Sequence, residues 1–239
     1  MYPASNGYNS YMDRDEESIG LLKAPPKVTR QLFYTTVALD VVAILLSLLI
    51  NIIFAVCIIA NIAASRAYSY RGIRLKKYPV IGFLTVIIFQ GAITYFMVYY
   101  GVSEISFIPW KGMLISSLLF GGFYPLTQIY QHEQDYKDGV ITISYLLGYT
   151  GTFIFTGLMY LAAEALLFFY FNKAQQLNQF YILQLFFLPV IIYFLLWWRK
   201  VRQNKMNADF SHTMRMNIIA AVSTNIAFIL LLLMNHVAR

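Results

Sequence analysis

The chain has 239 residues, of which 59% are hydrophobic and only 12% charged, with a mean hydropathy of +0.59 and a formal net charge of +7. Soluble domains carry about 25% charged residues, so this composition excludes an ordinary water-soluble globule and points to a polytopic membrane protein. A single cysteine, Cys57, and histidines as scattered as His132, His212 and His236 exclude a disulfide framework and a Cys/His zinc site.

In chain order, residues 1–31 are polar, lack the apolar core of a signal peptide and are too polar to span a bilayer. Seven apolar runs follow, at 32–48, 51–67, 80–100, 112–130, 143–171, 178–198 and 214–236. Each approaches the ~20 residues that a crossing needs. The first two form one stretch without Gly or Pro that is too long for a single helix, and it divides near Ser47 to Asn51. The expected fold is an all-α, polytopic membrane bundle, read as one domain over 1–239. Neither an internal repeat nor a phosphate-cradling glycine motif of the Rossmann or Walker kind is present.

Alternation of the loops puts fifteen of the eighteen Lys and Arg residues on one side. Positive charge is retained in the cytoplasm, so this asymmetry predicts an N-terminus inside the cell. The net positive charge is then mostly a topology signal, and nothing separate supports nucleic-acid binding.

Acids are scarce, and seven of the eleven lie in two short stretches on that same side, 9–17 (NSYMDRDEE) and 131–139 (QHEQDYKDG). Asn9, Asp13 and Glu17 are spaced to share one helical face. In the second stretch Gln131 and Asp135 are spaced likewise, Glu133 and Asp138 lie beside them, and Gly139 is placed to end a helix. Hard cations such as Mg²⁺ take oxygen ligands and commonly carry substrate phosphates. Two such faces opposite one another would hold a diphosphate between metal ions. Arg14, Arg71, Arg74, Lys76, Lys77 and Lys137 would neutralise its remaining charge.

The stretch 124–143 (YPLTQIYQHEQDYKDGVITI) resembles the second aspartate motif of the UbiA-type membrane prenyltransferases, with Asp135, Lys137, Gly139 and Thr142 in register. The first stretch is similar to that family's Asn/Asp motif at Asn9, Asp13 and Glu17. The segment 68–79 (YSYRGIRLKKYP) resembles its Tyr-Ser and basic loop. The resemblance covers essentially the whole chain. It implies a helix bundle around a central cavity and Mg²⁺-dependent transfer of an isoprenoid from a prenyl diphosphate to a small, usually aromatic, acceptor. Asp13 and Asp135 would be catalytic, with Asn9, Glu17, Gln131, Glu133 and Asp138 as further metal ligands. It further implies an integral protein of a bacterial inner membrane, with the motifs facing the cytoplasm. Aromatic faces near the motifs, among them Tyr11, Tyr68, Tyr70, Tyr124 and Tyr130, would stabilise an allylic cation.

The chain departs from the family pattern in three places. Gln131 replaces an aspartate, Glu17 stands for another, and the family's first membrane helix is expected to be missing ahead of the first motif. Two acids, Asp40 and Glu164, fall inside spans, where a charge costs ~2.5–3.5 kcal/mol on insertion scales. They would contact the acceptor or relay a proton, or else pair with Asn51, Asn61 or Gln90. The run 207–212 before the last span would form part of the acceptor-side rim. Two other functions stay open. A small transporter or channel with acid-lined mouths would need polar residues through several spans, whereas most lie at span ends. A truncated, inactive relative would account for Gln131.

Overall fold

The computed structural model describes residues 1–14, 18, 22–103 and 107–237, and among these the chain is helical throughout, without a sheet. A short helix, α1 (Tyr2–Asp13), precedes α2 (Arg30–Leu48) and α3 (Ile52–Ser69). The long apolar run thus breaks where expected. Asn51 caps α3 by accepting a hydrogen bond from Phe54 N at 2.8 Å. The third crossing is composite: α4 (Pro79–Val86), a π-helical turn (Ile87–Ile93) and α5 (Thr94–Val102). Then come α6 (Trp110–Gln128), a 3₁₀ turn (Ile129–Gln131), α7 (His132–Lys137), α8 (Ile143–Lys173), α9 (Leu177–Gln203) and α10 (Phe210–Val237).

Among the described residues seven helical segments are long and apolar enough to cross a bilayer, and they coincide with the seven expected runs. No more than 39% of any of their most apolar windows is buried within the protein. The apolar remainder faces outward, so the bundle requires lipid as its solvent. This is an integral membrane protein.

Packing is densest between α6 and α8, followed by α6 against the π turn and α9 against α10; α6, α8, α9 and α10 meet in one core. Leu126, Phe153, Val190, Trp197 and Met216 form a core shared by these four helices. Trp197 Nε1 donates to the Asn207 carbonyl at 2.7 Å, which pins the α9–α10 connection under the bundle. A smaller core of Cys57, Ile58 and Met97 joins α3 to α5. Helix α1 lies against α2 and α3, with Ala4 and Tyr8 buried. Near its start α8 is kinked by Gly148 (φ 66°, ψ 177°), just beyond its Thr142 cap.

Candidate functional site

Three segments converge beside the ends of the spans: the end of α1, the 70–78 connection after α3, and α7. Helix α1 stops at Asp13 because Arg14 turns into the left-handed region (φ 56°) and closes its N–H on the Ser10 carbonyl. Glu17 lies outside the described residues, and α1 ends before it. Helix α7 ends as expected at Gly139, at φ 69°. Gly139 N bonds Tyr136 O at 3.1 Å and Val140 N bonds Asp135 O at 2.8 Å, the paired bonds of a Schellman motif. Gln131 stands at the joint between the 3₁₀ turn and α7 (φ −97°, ψ 2°). It therefore does not share one continuous helical face with Asp135, which corrects the spacing argument for that pair. His132 fixes α7 on α8 by hydrogen-bonding Ser144 Oγ at 2.8 Å and stacking on Tyr149 at 4.9 Å.

The basic loop ties the two acidic segments together. Asp13 is paired with Lys76, and both side chains are buried. Arg74 pairs with Asp138 and lies 3.6 Å from Asp13. Arg71 Nε donates to the Met12 carbonyl at 2.8 Å and its guanidinium reaches Asp138 at 3.8 Å. Asn9 Oδ1 accepts from Ser69 Oγ at 2.7 Å, which docks α1 on the end of α3. Below these pairs the Tyr68 and Tyr124 hydroxyls are hydrogen-bonded, and Gln128 Nε2 donates to Tyr124 at 3.0 Å. Tyr68 and Tyr124 line one cavity with Asn9 and Ser69, and Asp135 lies on α7, one turn before Asp138 at its end. Asn9, Asp13, Asp135, Asp138, Arg71, Arg74, Lys76, Tyr68 and Tyr124 are thus brought to one place.

Other expected residues lie outside these pairs. Arg14, Glu133 and Lys137 are exposed. Lys77 is exposed and lies over the Tyr78 ring at 4.9 Å. Tyr130 packs edge-on against Phe210 at 5.5 Å. Asp40 pairs with Arg66, not with the span amides, and Arg66 in turn covers the Tyr8 ring at 3.8 Å. Burial pushes the Tyr8 phenol up, and the Arg66 cation partly offsets this. Glu164 accepts from Gln184 Nε2.

Asp13 Oδ1 is buried and makes no hydrogen bond in the protein. That carboxylate oxygen, one helical turn from Asn9 and 3.6 Å from the Arg74 guanidinium, suits a hard cation brought in with a phosphate. Among the described residues no three acidic, His or Cys side chains gather as a cage. Mg²⁺ needs no such cage, since it keeps several waters and is held by one or two carboxylates plus substrate phosphates. The donor set therefore fits Mg²⁺ carried with a phosphorylated substrate and does not suit a metal held by protein alone.

Beside Tyr68 and Tyr124 lies a cavity of about 170 Å³ between α1, α3, the composite third crossing and α6. Two of its lining amides, Asn61 and Gln90, are legible in the sequence only as partners for Asp40 or Glu164. Their signal was a polar residue inside an apolar run.

Fold and site together define an integral membrane helix bundle with an ion-paired polar site at the ends of its helices. The chain belongs to the UbiA prenyltransferase family, which it matches over residues 1–219. A solved structure from a study of digeranylgeranylglyceryl phosphate synthase in membranes is similar in fold, with a TM-score of 0.59 at 19% identity, covering 95% of this chain and 80% of that one. No curated protein matches the chain.

Proposed function

We propose that this protein is a Mg²⁺-dependent prenyltransferase that moves an isoprenoid from its diphosphate to a small, oxygen-bearing acceptor, with its site on the cytoplasmic side of a bacterial inner membrane. The observation that carries this reading is the ion-pair chain Lys76–Asp13···Arg74–Asp138, which joins the two acidic segments through the basic loop. A diphosphate seated there would meet cations already collected at one point. Lys76, Arg74 and Arg71 would face its oxygens, with Lys77, Lys137 and Arg14 at the rim.

Asp13 and Asp135 would hold Mg²⁺, assisted by Asn9, Gln131, Glu133, Asp138 and Glu17. When bound, the metal supplies neutralisation of the leaving group's charge. The allylic C1–O bond breaks and its electron pair leaves on the diphosphate. The acceptor gives an electron pair to C1 and releases a proton. Tyr68 and Tyr124, hydrogen-bonded to each other, present ring and hydroxyl beside this point. Ordered cations and dipoles need no reorganisation as the charge develops.

The test is binding of farnesyl or geranylgeranyl diphosphate to the protein in nanodiscs, with Mg²⁺ and with EDTA. Tight binding in Mg²⁺ that EDTA abolishes is the expected result. Equal binding in both rules out a metal-bridged diphosphate. Lipid mass spectrometry of cells with and without the gene then identifies the product.

A further inference from the structure

We infer that the cavity beside Tyr68 and Tyr124 takes the acceptor, and that it selects an uncharged, oxygen-bearing molecule about the size of one ring, with Gln90 as a specificity-determining contact. This inference rests on the prenyl-transfer reading above and narrows its substrate class.

The argument begins with α3. Asn61 and Ser65 are one turn apart, so both face the cavity, and the same stripe continues to Tyr68 and Ser69. Asn61 Nδ2 donates to the Cys57 carbonyl at 3.0 Å, which leaves its Oδ1 as an open acceptor. Across the cavity, Gln90 comes from the π-helical turn. A π turn inserts one residue into the helical path and re-aims a side chain, and such turns gather at functional sites. The re-aiming is held from behind. Ser117 Oγ donates to Ile87 O at 3.0 Å, Ser116 Oγ to Gly91 O at 3.2 Å, and Thr94 Oγ1 to Phe89 O at 2.8 Å. Tyr2 then closes α1 onto this wall by bonding Thr94 Oγ1 at 2.9 Å.

Neither Ser65 nor Gln90 has a side-chain hydrogen-bond partner among the described residues. Both sit within spans, where a polar side chain is costly and is kept for a function. An isoprenoid tail here would strip these groups of water and return nothing. A ligand with hydroxyl or carbonyl groups would satisfy them. Among the described residues no Asp, Glu, Lys or Arg side chain lines the cavity, so its side chains meet a ligand with amides and hydroxyls, which match neutral hydroxyl and carbonyl groups and do not repay the desolvation of a carboxylate. The volume agrees, since an engineered protein cavity of about 150 Å³ admits one benzene.

The experiment uses the full chain in nanodiscs with Mg²⁺ and isotope-labelled geranyl, farnesyl or geranylgeranyl diphosphate. A small-molecule extract of the source cells is split on an anion exchanger into neutral and anionic fractions and offered as acceptor. Label is expected in products of the neutral fraction, at least about tenfold above the anionic one. Gln90→Met, close in shape but without the amide, is expected to raise the KM for the acceptor about tenfold, as loss of a hydrogen bond does, with the KM for the diphosphate unchanged. Gln90→Asn is expected to fall between. The unchanged diphosphate KM shows that the variants are folded. Label entering the anionic fraction, or neither fraction while the diphosphate still binds in Mg²⁺, overturns the inference. So does an unaltered acceptor KM in Gln90→Met. Loss of Mg²⁺-dependent diphosphate binding in the unmodified protein overturns the prenyl-transfer reading as well.

Discussion

Arg74 holds Asp138 twice, through its carboxylate and through its backbone carbonyl at 3.1 Å. The second bond fixes the end of α7 itself and not only a side chain that can swing. The guanidinium also faces Asp13 at 3.6 Å. One planar fork thus sets the distance between the two acidic segments.

Lysine cannot reproduce that fork, because its ammonium is a single point charge. Arg74→Lys is therefore expected to lower kcat/KM for the prenyl diphosphate about ten- to hundredfold, as loss of a charge-assisted bond worth about 1.5–3 kcal/mol implies. The measurement is steady-state kinetics at saturating Mg²⁺. A variant indistinguishable from the unmodified enzyme would remove Arg74 from the site.

Asp13 and Lys76 are both buried, with side-chain exposures of 5% and 8%. Removing one partner strands the other charge. Asp13→Ala is expected to cost about 3–5 kcal/mol of stability, seen as a lower unfolding temperature in detergent. The double variant Asp13→Leu, Lys76→Met removes both charges and is expected to recover most of that loss. It is expected to remain inactive, because the orphaned Asp13 oxygen offered to the metal is gone. Stability and activity should therefore part company in this pair.

Gln131 puts a neutral amide where the family pattern has an aspartate. A carboxylate binds a divalent cation more strongly than an amide does. Asp135→Ala is expected to raise the Mg²⁺ concentration for half-maximal activity by at least about tenfold, and Gln131→Ala by less. Gln131→Asp is expected to lower it severalfold. A Mg²⁺ titration of the three variants decides, and an unmoved midpoint in Asp135→Ala would exclude Asp135 as a ligand.

The seven spans were legible because lipid tolerates only long apolar helices, and no tertiary detail is needed to see them. The two acidic segments were legible for a related reason: acids are so scarce here that their clustering stands out. The partner of Asp40 is not legible because Arg66 reads as a loop cation. In the structure it occupies the last turn of α3, close enough to α2 to pair with Asp40. The π turn at Ile87–Ile93 is not legible, since a run apolar but for Gln90 and Gly91 has no helical periodicity to interrupt. Counting residues puts Gln131 on one helical face with Asp135, and counting cannot see the 3₁₀ joint that precedes α7.

Gly91 tests whether the π turn matters. A Cβ at this position would lie 2.7 Å from Ser117 Cα and 3.0 Å from Ser117 N, both backbone atoms of α6. Backbone cannot swing aside as a flexible side chain would, so Gly91→Ala must push the π turn off α6. The expected cost is about 1–3 kcal/mol, as for other overpacked sites. The same displacement would stretch the Ser116 and Ser117 bonds that satisfy Gly91 O and Ile87 O. It would therefore move Gln90 within the cavity. Ser117→Ala loses one such bond without overpacking and is expected to cost about 1 kcal/mol. Unfolding temperatures in detergent order the two variants, with Gly91→Ala the lower. Gly91→Ala is also expected to raise the acceptor KM, while Mg²⁺-dependent diphosphate binding, set by Asp13 and Lys76 at the other end of α1, stays within about twofold. Equal losses at both substrates would show that the turn supports the bundle as a whole and not the acceptor wall in particular.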